Sequence, residues 1–208
     1  MKDETSPEGL LARAYALEDR EQALALYRDW AATYDRTMLE GLGYLTPHRT
    51  ALLLARHVPD RRTTVLDVGS GTGLAGVELA ALGFSALDGV DISPEMLAVA
   101  SARAIYRKLF EADLTGPLPM GDGAYGAMIC TGTFTHAHVG ARCLDELMRC
   151  LAPGGVFACT IHSDVLGPAG FGDWLEHNTM IEMLYREPGT YYRDSREPEG
   201  LYLAWRKR

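Results

Sequence analysis

The stretch Val65-Leu66-Asp67-Val68-Gly69-Ser70-Gly71-Thr72-Gly73 places a short apolar segment directly before three alternating glycines. The apolar segment is typical of a buried strand, and the residues after Gly73 have the composition of a helix. Glycines let the backbone turn sharply and let a ligand approach bare peptide, while a helix N-terminus offers unpaired N–H donors. The stretch therefore predicts a strand, a glycine loop and a helix arranged around a nucleotide-like ligand.

Two cofactor classes fit this loop, and an ordinary tight turn is the alternative to both. Gly71, Gly73 and Gly76 match the G-x-G-x-x-G pattern of dinucleotide sites, and Asp91 ends the next predicted strand. A carboxylate there accepts hydrogen bonds from the ribose of either a nicotinamide cofactor or S-adenosylmethionine (SAM). Asp67 favours SAM, because an anion at that point would repel a pyrophosphate and suit the cationic part of SAM, or would hold the loop.

Strand-like and helix-like segments alternate after residue 60. Predicted strands cover residues 63–68, 86–92, 105–112, 125–131, 155–162, 183–186 and 201–205. Helical patterns cover residues 74–82, 94–104, 139–151 and 171–180, while the polar residues 187–200 receive no structural prediction. This alternation predicts an α/β fold with a doubly wound, mainly parallel seven-stranded sheet.

The first 60 residues have a helical pattern and predict an N-terminal cap. Ser6-Pro7 is typical of a helix start, a second helix would run from Asp19 to about Asp35, and a third would cover 49–57. A chain of 208 residues fits one domain, with residues 1–60 as a cap or lid and 61–208 as a Rossmann-like core.

Composition restricts the partners. The formal net charge of −8 at pH 7 would repel a phosphate backbone, so we expect no nucleic-acid partner. No apolar run is long enough to span a membrane, and no signal peptide is recognisable. The four cysteines lack C-x-x-C spacing, and Cys143 and Cys150 are expected to share a buried helix face. We expect a cytoplasmic monomer or homodimer that binds no metal.

Residues 63–161 resemble the class I SAM-dependent methyltransferases. Val65–Gly73 looks like the first motif of that family, Gly89–Leu97 like the second, and Glu111-Ala112-Asp113-Leu114 like the third. Leu151–Gly155 resembles the turn before the fifth strand, whereas Tyr125-Gly126 departs from the aromatic-Asp pair that often enters the fourth. The resemblance implies a Rossmann-like class I methyltransferase fold that binds SAM and releases S-adenosylhomocysteine.

The resemblance also assigns cofactor contacts to the ends of four strands. They are Gly69, Gly71 and Gly73 for the methionine part, Asp91 for the ribose, Ile92 and Met96 for the faces of adenine, Asp113 and Leu114 for its amino group and ring, and Thr131 and Gly132 for the sulfonium.

Tyr27-Arg28-Asp29-Trp30-Ala31-Ala32-Thr33-Tyr34-Asp35 is similar to the lid of small-molecule methyltransferases, including the methyltransferase-like group named for the Williams-Beuren region. Tyr27, Trp30 and Tyr34 fall on one side of a helix, where they either pack on the sheet or cover SAM. We expect Tyr34 to reach the carboxylate of the cofactor.

Several residues are candidates for the chemistry. His136 and His138 follow the fourth predicted strand and His162 ends the fifth, where ligands bind in such folds, so each is a candidate base or a wall of the pocket. Aromatic residues that would line an acceptor pocket or belong to the core are Phe134, Trp174, Tyr191 and Tyr192. The loop at 131–134 lacks the Asn/Asp-Pro-Pro-aromatic sequence of many amino methyltransferases of nucleic-acid bases and protein glutamines.

The expected function is transfer of a methyl group from SAM to a small molecule by direct displacement. One alternative is a SAM-binding regulatory domain without transfer activity. The other is an NAD(P)-dependent oxidoreductase, which Asp67 and the Asp113-Leu114 pair disfavour.

Overall fold

The computed structural model describes residues 6–17, 20–135 and 139–208. Its centre is a seven-stranded sheet with the order β3-β2-β1-β4-β5-β7-β6. The strands are β1 (Val65–Val68), β2 (Leu87–Asp91), β3 (Tyr106–Glu111), β4 (Tyr125–Phe134), β5 (Leu151–His162), β6 (Ile181–Gly189) and β7 (Gly200–Lys207).

Helices cover both faces of this sheet. The described helices are α1 (Pro7–Tyr15), α2 (Arg20–Trp30), α3 (Thr46–His57), α4 (Leu74–Ala81), α5 (Pro94–Ala102), α6 (Cys143–Cys150), α7 (Ser163–Leu166) and α8 (Phe171–His177), with a π-helical turn at Arg36–Gly41. Within the described ranges, no helix has both the length and the apolar character needed to cross a bilayer.

The strand directions confirm the predicted doubly wound, mainly parallel sheet. β1 pairs in parallel with β2 and β4, and the parallel set continues to β3 on one side and β5 on the other. Among the described strands, antiparallel pairing occurs only in the hairpin of β6 and β7 and where its β7 strand joins β5. The chain order reverses between β1 and β4, and such a switch point leaves a crevice at the carboxyl ends of the strands.

Several element boundaries differ from the sequence predictions. Two strands are longer than predicted because pairing with a neighbouring strand extends them. β4 continues to Phe134, which pairs with Ile161 beyond an irregularity in the register. β5 begins at Leu151 rather than 155, since Leu151 pairs with Tyr125. The predicted helix at 139–151 covers only Cys143–Cys150, and the predicted burial of both cysteines is confirmed.

The cap contains the predicted helices, but its second helix ends at Trp30 instead of near Asp35. The Thr33 hydroxyl donates to the carbonyl of Trp30 at 3.4 Å, and the Thr37 hydroxyl donates to the carbonyl of Thr33 at 2.9 Å. Such local side-chain bonds compete with a regular helix. Apolar cap residues such as Leu54 share a buried cluster with sheet residues such as Ile129, so the cap packs directly on the sheet.

The connection between β6 and β7, which carried no structural prediction, is tied to the cap. The backbone N–H of Leu45 donates to the carbonyl of Tyr191 at 2.8 Å, and that of Arg193 donates to the carbonyl of Gly43 at 3.0 Å. Tyr44 and Tyr192 form a bridge between the two segments. These bonds place two aromatic residues of the connection beside the crevice.

Candidate functional site

A cavity of about 740 Å³, including the space at its mouth, lies at the carboxyl ends of the parallel strands. We call it the cofactor cavity. Its described lining consists of Tyr27, Tyr34, Gly69, Gly71, Asp91, Ile92, Met96, Ala112, Asp113, Leu114, Thr131, Gly132, Thr133, Thr135 and Val139. Of the cofactor contacts expected from the sequence, Trp30, Asp67 and Gly73 are outside this lining.

Asp91 lines the cofactor cavity at the end of β2. One oxygen of its carboxylate accepts a hydrogen bond from the backbone N–H of Gly71 at 2.8 Å, and the other accepts from that of Ser93 at 2.9 Å. Burial raises the pKa of Asp91, while the backbone N–H donors oppose that shift. The carboxylate therefore joins the end of β2 to the glycine loop and still faces the cavity.

The glycine loop adopts left-handed backbone angles that favour glycine. Gly69 has φ +63°, and an added Cβ would collide with the Thr133 side chain. Gly71 has φ +52°, and no atom lies within 4 Å of the position that a Cβ would take. The backbone at Gly71 is therefore open to a ligand.

Apolar and acidic side chains meet at the other end of the cavity. Ser93 caps α5, since its hydroxyl accepts from the N–H of Met96 at 3.2 Å, and this places Met96 in the wall. Asp113 follows β3 and accepts from the N–H of Thr115 at 2.8 Å. Leu114 is buried beside it.

Asp67 lies beneath the glycine loop and does not line the cavity, so the structure does not support the predicted contact with the cofactor. It is 1% exposed and accepts a hydrogen bond from the Tyr106 hydroxyl at 2.6 Å. The same hydroxyl would collide with a Cβ at Gly76, and the Tyr106 ring lies against Gly73. The last two glycines of the G-x-G-x-x-G match therefore make room for a tyrosine, and Asp67 holds the loop.

The buried Asp67 carboxyl predicts a pH-dependent stability. Burial raises its pKa to about 7, with a smaller opposing effect from the Tyr106 hydroxyl. The folded state therefore binds more protons than the unfolded state between about pH 4 and pH 7, and the stabilisation from this group falls as pH rises through that window. The free energy of unfolding of the wild type, relative to Asp67→Asn, should fall by about 2–3 kcal/mol from pH 5 to pH 8.

Urea unfolding of both proteins at the two pH values measures this difference. Parallel pH profiles of the wild type and the variant would contradict the assignment of Asp67 as a buried, titrating carboxyl.

A second cavity of about 390 Å³, including the space at its mouth, adjoins the first, and we call it the aromatic chamber. It shares Tyr27, Tyr34, Gly132 and Thr135 with the cofactor cavity. The rest of its described lining consists of Leu11, Ala14, Tyr15, Trp30, Met38, Tyr44, Tyr191 and Tyr192. Trp30 thus lines the chamber instead of the cofactor cavity, and its ring contacts that of Tyr34, with 4.9 Å between the ring centroids.

The candidate aromatic residues lie in three different places. Tyr191 and Tyr192 line the chamber. Phe134 is fully buried against Phe171, with ring centroids 5.0 Å apart, and is therefore a core residue. Trp174 packs on Trp205, donates from its Nε1–H to the Asp145 carboxylate at 2.8 Å and lines a separate cavity.

Of the three candidate bases, the structure describes only His162. His136 and His138 lie outside the described residues. His162 is 7% exposed and is absent from the described linings of both cavities. Because β5 ends there and α7 begins, its Nδ1 accepts from the N–H of Asp164 at 3.3 Å, and its ring contacts Tyr15 and Tyr191. His162 therefore packs against Tyr15 and Tyr191, two residues of the chamber lining, without lining the chamber itself.

Asp35 ties the cap to the glycine loop, a contact that the sequence analysis missed. Its carboxylate accepts from the Thr72 hydroxyl at 2.6 Å and pairs with Arg103. Arg103 in turn donates to the Thr72 carbonyl at 2.5 Å. We call Asp35, Thr72 and Arg103 the loop clamp. No local sequence pattern indicates this contact, because Asp35 and Arg103 are 68 residues apart in the chain.

The loop clamp predicts that Asp35→Asn weakens binding of S-adenosylhomocysteine about fivefold. The variant loses a charge-assisted bond worth on the order of 1 kcal/mol, which leaves the glycine loop less ordered. Isothermal titration measures the change. Asp29→Asn is the matched control, because the Asp29 side chain is 72% exposed and pairs with its exposed neighbour Arg28. Equal affinities in the two variants would contradict the clamp.

No group of three or more histidine, cysteine, aspartate or glutamate side chains in the described ranges is arranged to hold a metal ion. The four cysteines are buried as free thiols.

Comparisons with known proteins agree with this geometry. Residues 66–159 match the family model described as a methyltransferase domain. Methyltransferase-like protein 27 of Homo sapiens is 34% identical over 154 residues, which cover 73% of this chain and 62% of that protein. Demethylmenaquinone methyltransferase of Thermus thermophilus is 36% identical over 112 residues, which cover 51% of this chain and 50% of that protein. The chain thus spans about half to three fifths of the length of these relatives.

Solved structures share the fold at lower identity. The crystal structure of the [4+2]-cyclase SpnF superimposes with a TM-score of 0.71 and 17% identity, covering 91% of this chain and 96% of that one. At this identity the likeness concerns the fold alone.

Proposed function

We propose that the chain is a class I SAM-dependent methyltransferase, as its match to the methyltransferase-domain model over residues 66–159 indicates, and that it transfers a methyl group from SAM to a small-molecule acceptor. One observation carries the proposal: the cofactor cavity, which Asp91 lines, and the aromatic chamber have Tyr27, Tyr34, Gly132 and Thr135 in common as a shared wall. A donor site and an acceptor site are thus adjacent. We further propose that the chain is one domain in which the cap is a lid over the cofactor cavity.

The residues of the cofactor cavity fit the chemical groups of SAM. Each carboxylate oxygen has about two acceptor positions, and the N–H groups of Gly71 and Ser93 use one on each oxygen of Asp91. Asp91 can therefore accept the two ribose hydroxyls. Met96 and Leu114 offer apolar contact to adenine, and the open backbone at Gly71 leaves room for the methionine part.

When bound, SAM supplies a methyl group that positively charged sulfur already activates. The chain then has to align an acceptor atom with that methyl group and keep water out. Tyr27 and Tyr34 lie in the shared wall and would contact both reactants. Alignment of this kind is worth up to about 7–11 kcal/mol of the barrier, so a dedicated base is optional.

The oxidoreductase alternative loses its main support. It depends on the G-x-G-x-x-G match, yet Gly73 and Gly76 face the Tyr106 side chain rather than the cavity. A SAM-binding regulatory domain would share the cofactor cavity and differ only in lacking transfer to any acceptor.

Isothermal titration with SAM, S-adenosylhomocysteine and NADH tests the cofactor assignment. We expect the first two to bind and NADH to fail. Asp91→Ala should weaken SAM by about 1.5–3 kcal/mol, the typical value of hydrogen bonds to a charged group, while the exposed control Asp29→Ala should bind as the wild type does. Binding of NADH alone, or wild-type affinity in Asp91→Ala, would contradict the proposal.

Transfer itself is measured with SAM labelled in its methyl group and pools of small metabolites. We expect label in an acceptor of low molecular weight. Tight SAM binding without transfer to any pool would favour the regulatory alternative.

A further inference from the structure

We propose that the aromatic chamber is the acceptor site and that it selects uncharged molecules containing an aromatic ring, such as phenols. This inference rests on the proposed function, because it places the acceptor next to bound SAM. Three observations carry it: the described chamber lining lacks charge, the neighbouring cavity would hold a cation, and most of the lining is aromatic.

The described lining of the chamber contains no lysine, arginine, aspartate or glutamate. Its ionisable groups are tyrosines, and burial raises the pKa of Tyr27 to about 12 and those of Tyr44 and Tyr192 further. These hydroxyls therefore stay neutral at physiological pH. A carboxylate or phosphate in the chamber would find no counterion in this lining, and burying such a group unpaired costs several kcal/mol.

Tyrosine and tryptophan faces attract cations, but bound SAM is itself a cation and would oppose a cationic acceptor. The shared wall at Tyr27 and Tyr34 would bring such an acceptor next to the sulfonium, and two like charges repel strongly in a buried site. A protonated amine also has no lone pair with which to accept a methyl group. Both points exclude a cation as the bound acceptor.

The arrangement of the rings suits a flat ligand. Tyr27 and Trp30 are nearly parallel, with 5° between their planes and 6.4 Å between their centroids, and Tyr44 and Tyr192 form a second pair with centroids 5.5 Å apart. Aromatic ligands gain stacking and edge contacts from such walls beyond the burial of their surface. The Tyr15 and Tyr192 hydroxyls are hydrogen-bonded to each other at 2.9 Å and are polar groups in an otherwise mostly apolar lining. A ligand with an aromatic ring and a hydroxyl group can contact both the rings and these hydroxyls.

Binding to the full chain saturated with S-adenosylhomocysteine tests the inference without requiring turnover. Three probes of similar size differ in charge or ring type: 4-ethylphenol, 4-hydroxyphenylacetate and 4-ethylcyclohexanol. We expect 4-ethylphenol to bind and the other two to bind at least about tenfold more weakly. Equal binding of the charged probe, or of the saturated ring, would overturn the inference, as would the failure of all three.

A charge added to the lining should reverse the preference. Leu11 lines the chamber from α1, and its neighbour Ala12 is exposed on the same helix. Leu11→Lys should tighten binding of 4-hydroxyphenylacetate at least about tenfold, because the ammonium group supplies the missing counterion. Ala12→Lys carries the same added charge outside the lining and should leave the preference unchanged. Equal effects of the two variants would contradict the placement of the acceptor.

The same titrations separate the two proposals. Failure of the wild type to bind S-adenosylhomocysteine would contradict the proposed function. Normal binding of that nucleoside with no charge selectivity among the probes would contradict only the assignment of the acceptor class.

Discussion

Two backbone hydrogen bonds to the Asp91 carboxylate hold together the segments that form the candidate site. The N–H of Gly71 and the N–H of Ser93 each donate to one oxygen, so a single side chain joins the glycine loop, the end of β2 and the start of α5. Parallel strands bring these segments to one edge of the sheet, and the reversal of chain order between β1 and β4 leaves room for a ligand there. The carboxylate is both a structural acceptor and a polar part of the cavity lining.

The glycine loop is held from two sides by carboxylates with different roles. Asp67 lies below it, bonded to Tyr106 in a fully buried position, while Asp35 reaches it from the cap through Thr72. Burial of Asp67 would cost stability without a hydrogen-bond partner, and the Tyr106 hydroxyl supplies one. Asp35 is partly exposed and accepts from the Thr72 hydroxyl. Both contacts restrict the glycine loop. The Asp35 contact also makes the position of the cap depend on the loop that would bind the cofactor.

Sequence patterns predicted the elements whose signal is local or periodic. The glycine loop, Asp91 and the parallel order of the sheet follow from spacing and from alternating strands and helices. The loop clamp did not, because Asp35 and Arg103 are far apart in sequence and neither lies in a repeating pattern. The sequence left two roles open for Asp67, contact with the cofactor or support of the loop, because its partner Tyr106, on β3, cannot be inferred from local sequence. The residues after β6 lacked a pattern since backbone bonds to the cap, rather than a helix or strand, fix them.

The central claim is that the carboxylate at the end of β2 holds the ribose of SAM while the cap covers the site. A crystal structure of the complex with S-adenosylhomocysteine tests it most directly. We predict ribose hydroxyls within hydrogen-bonding distance of the Asp91 oxygens, about 2.5–3.0 Å, and the adenine beside Met96. Nucleoside bound elsewhere, with Asp91 bonded only to the backbone N–H groups of its own loops, would contradict the claim.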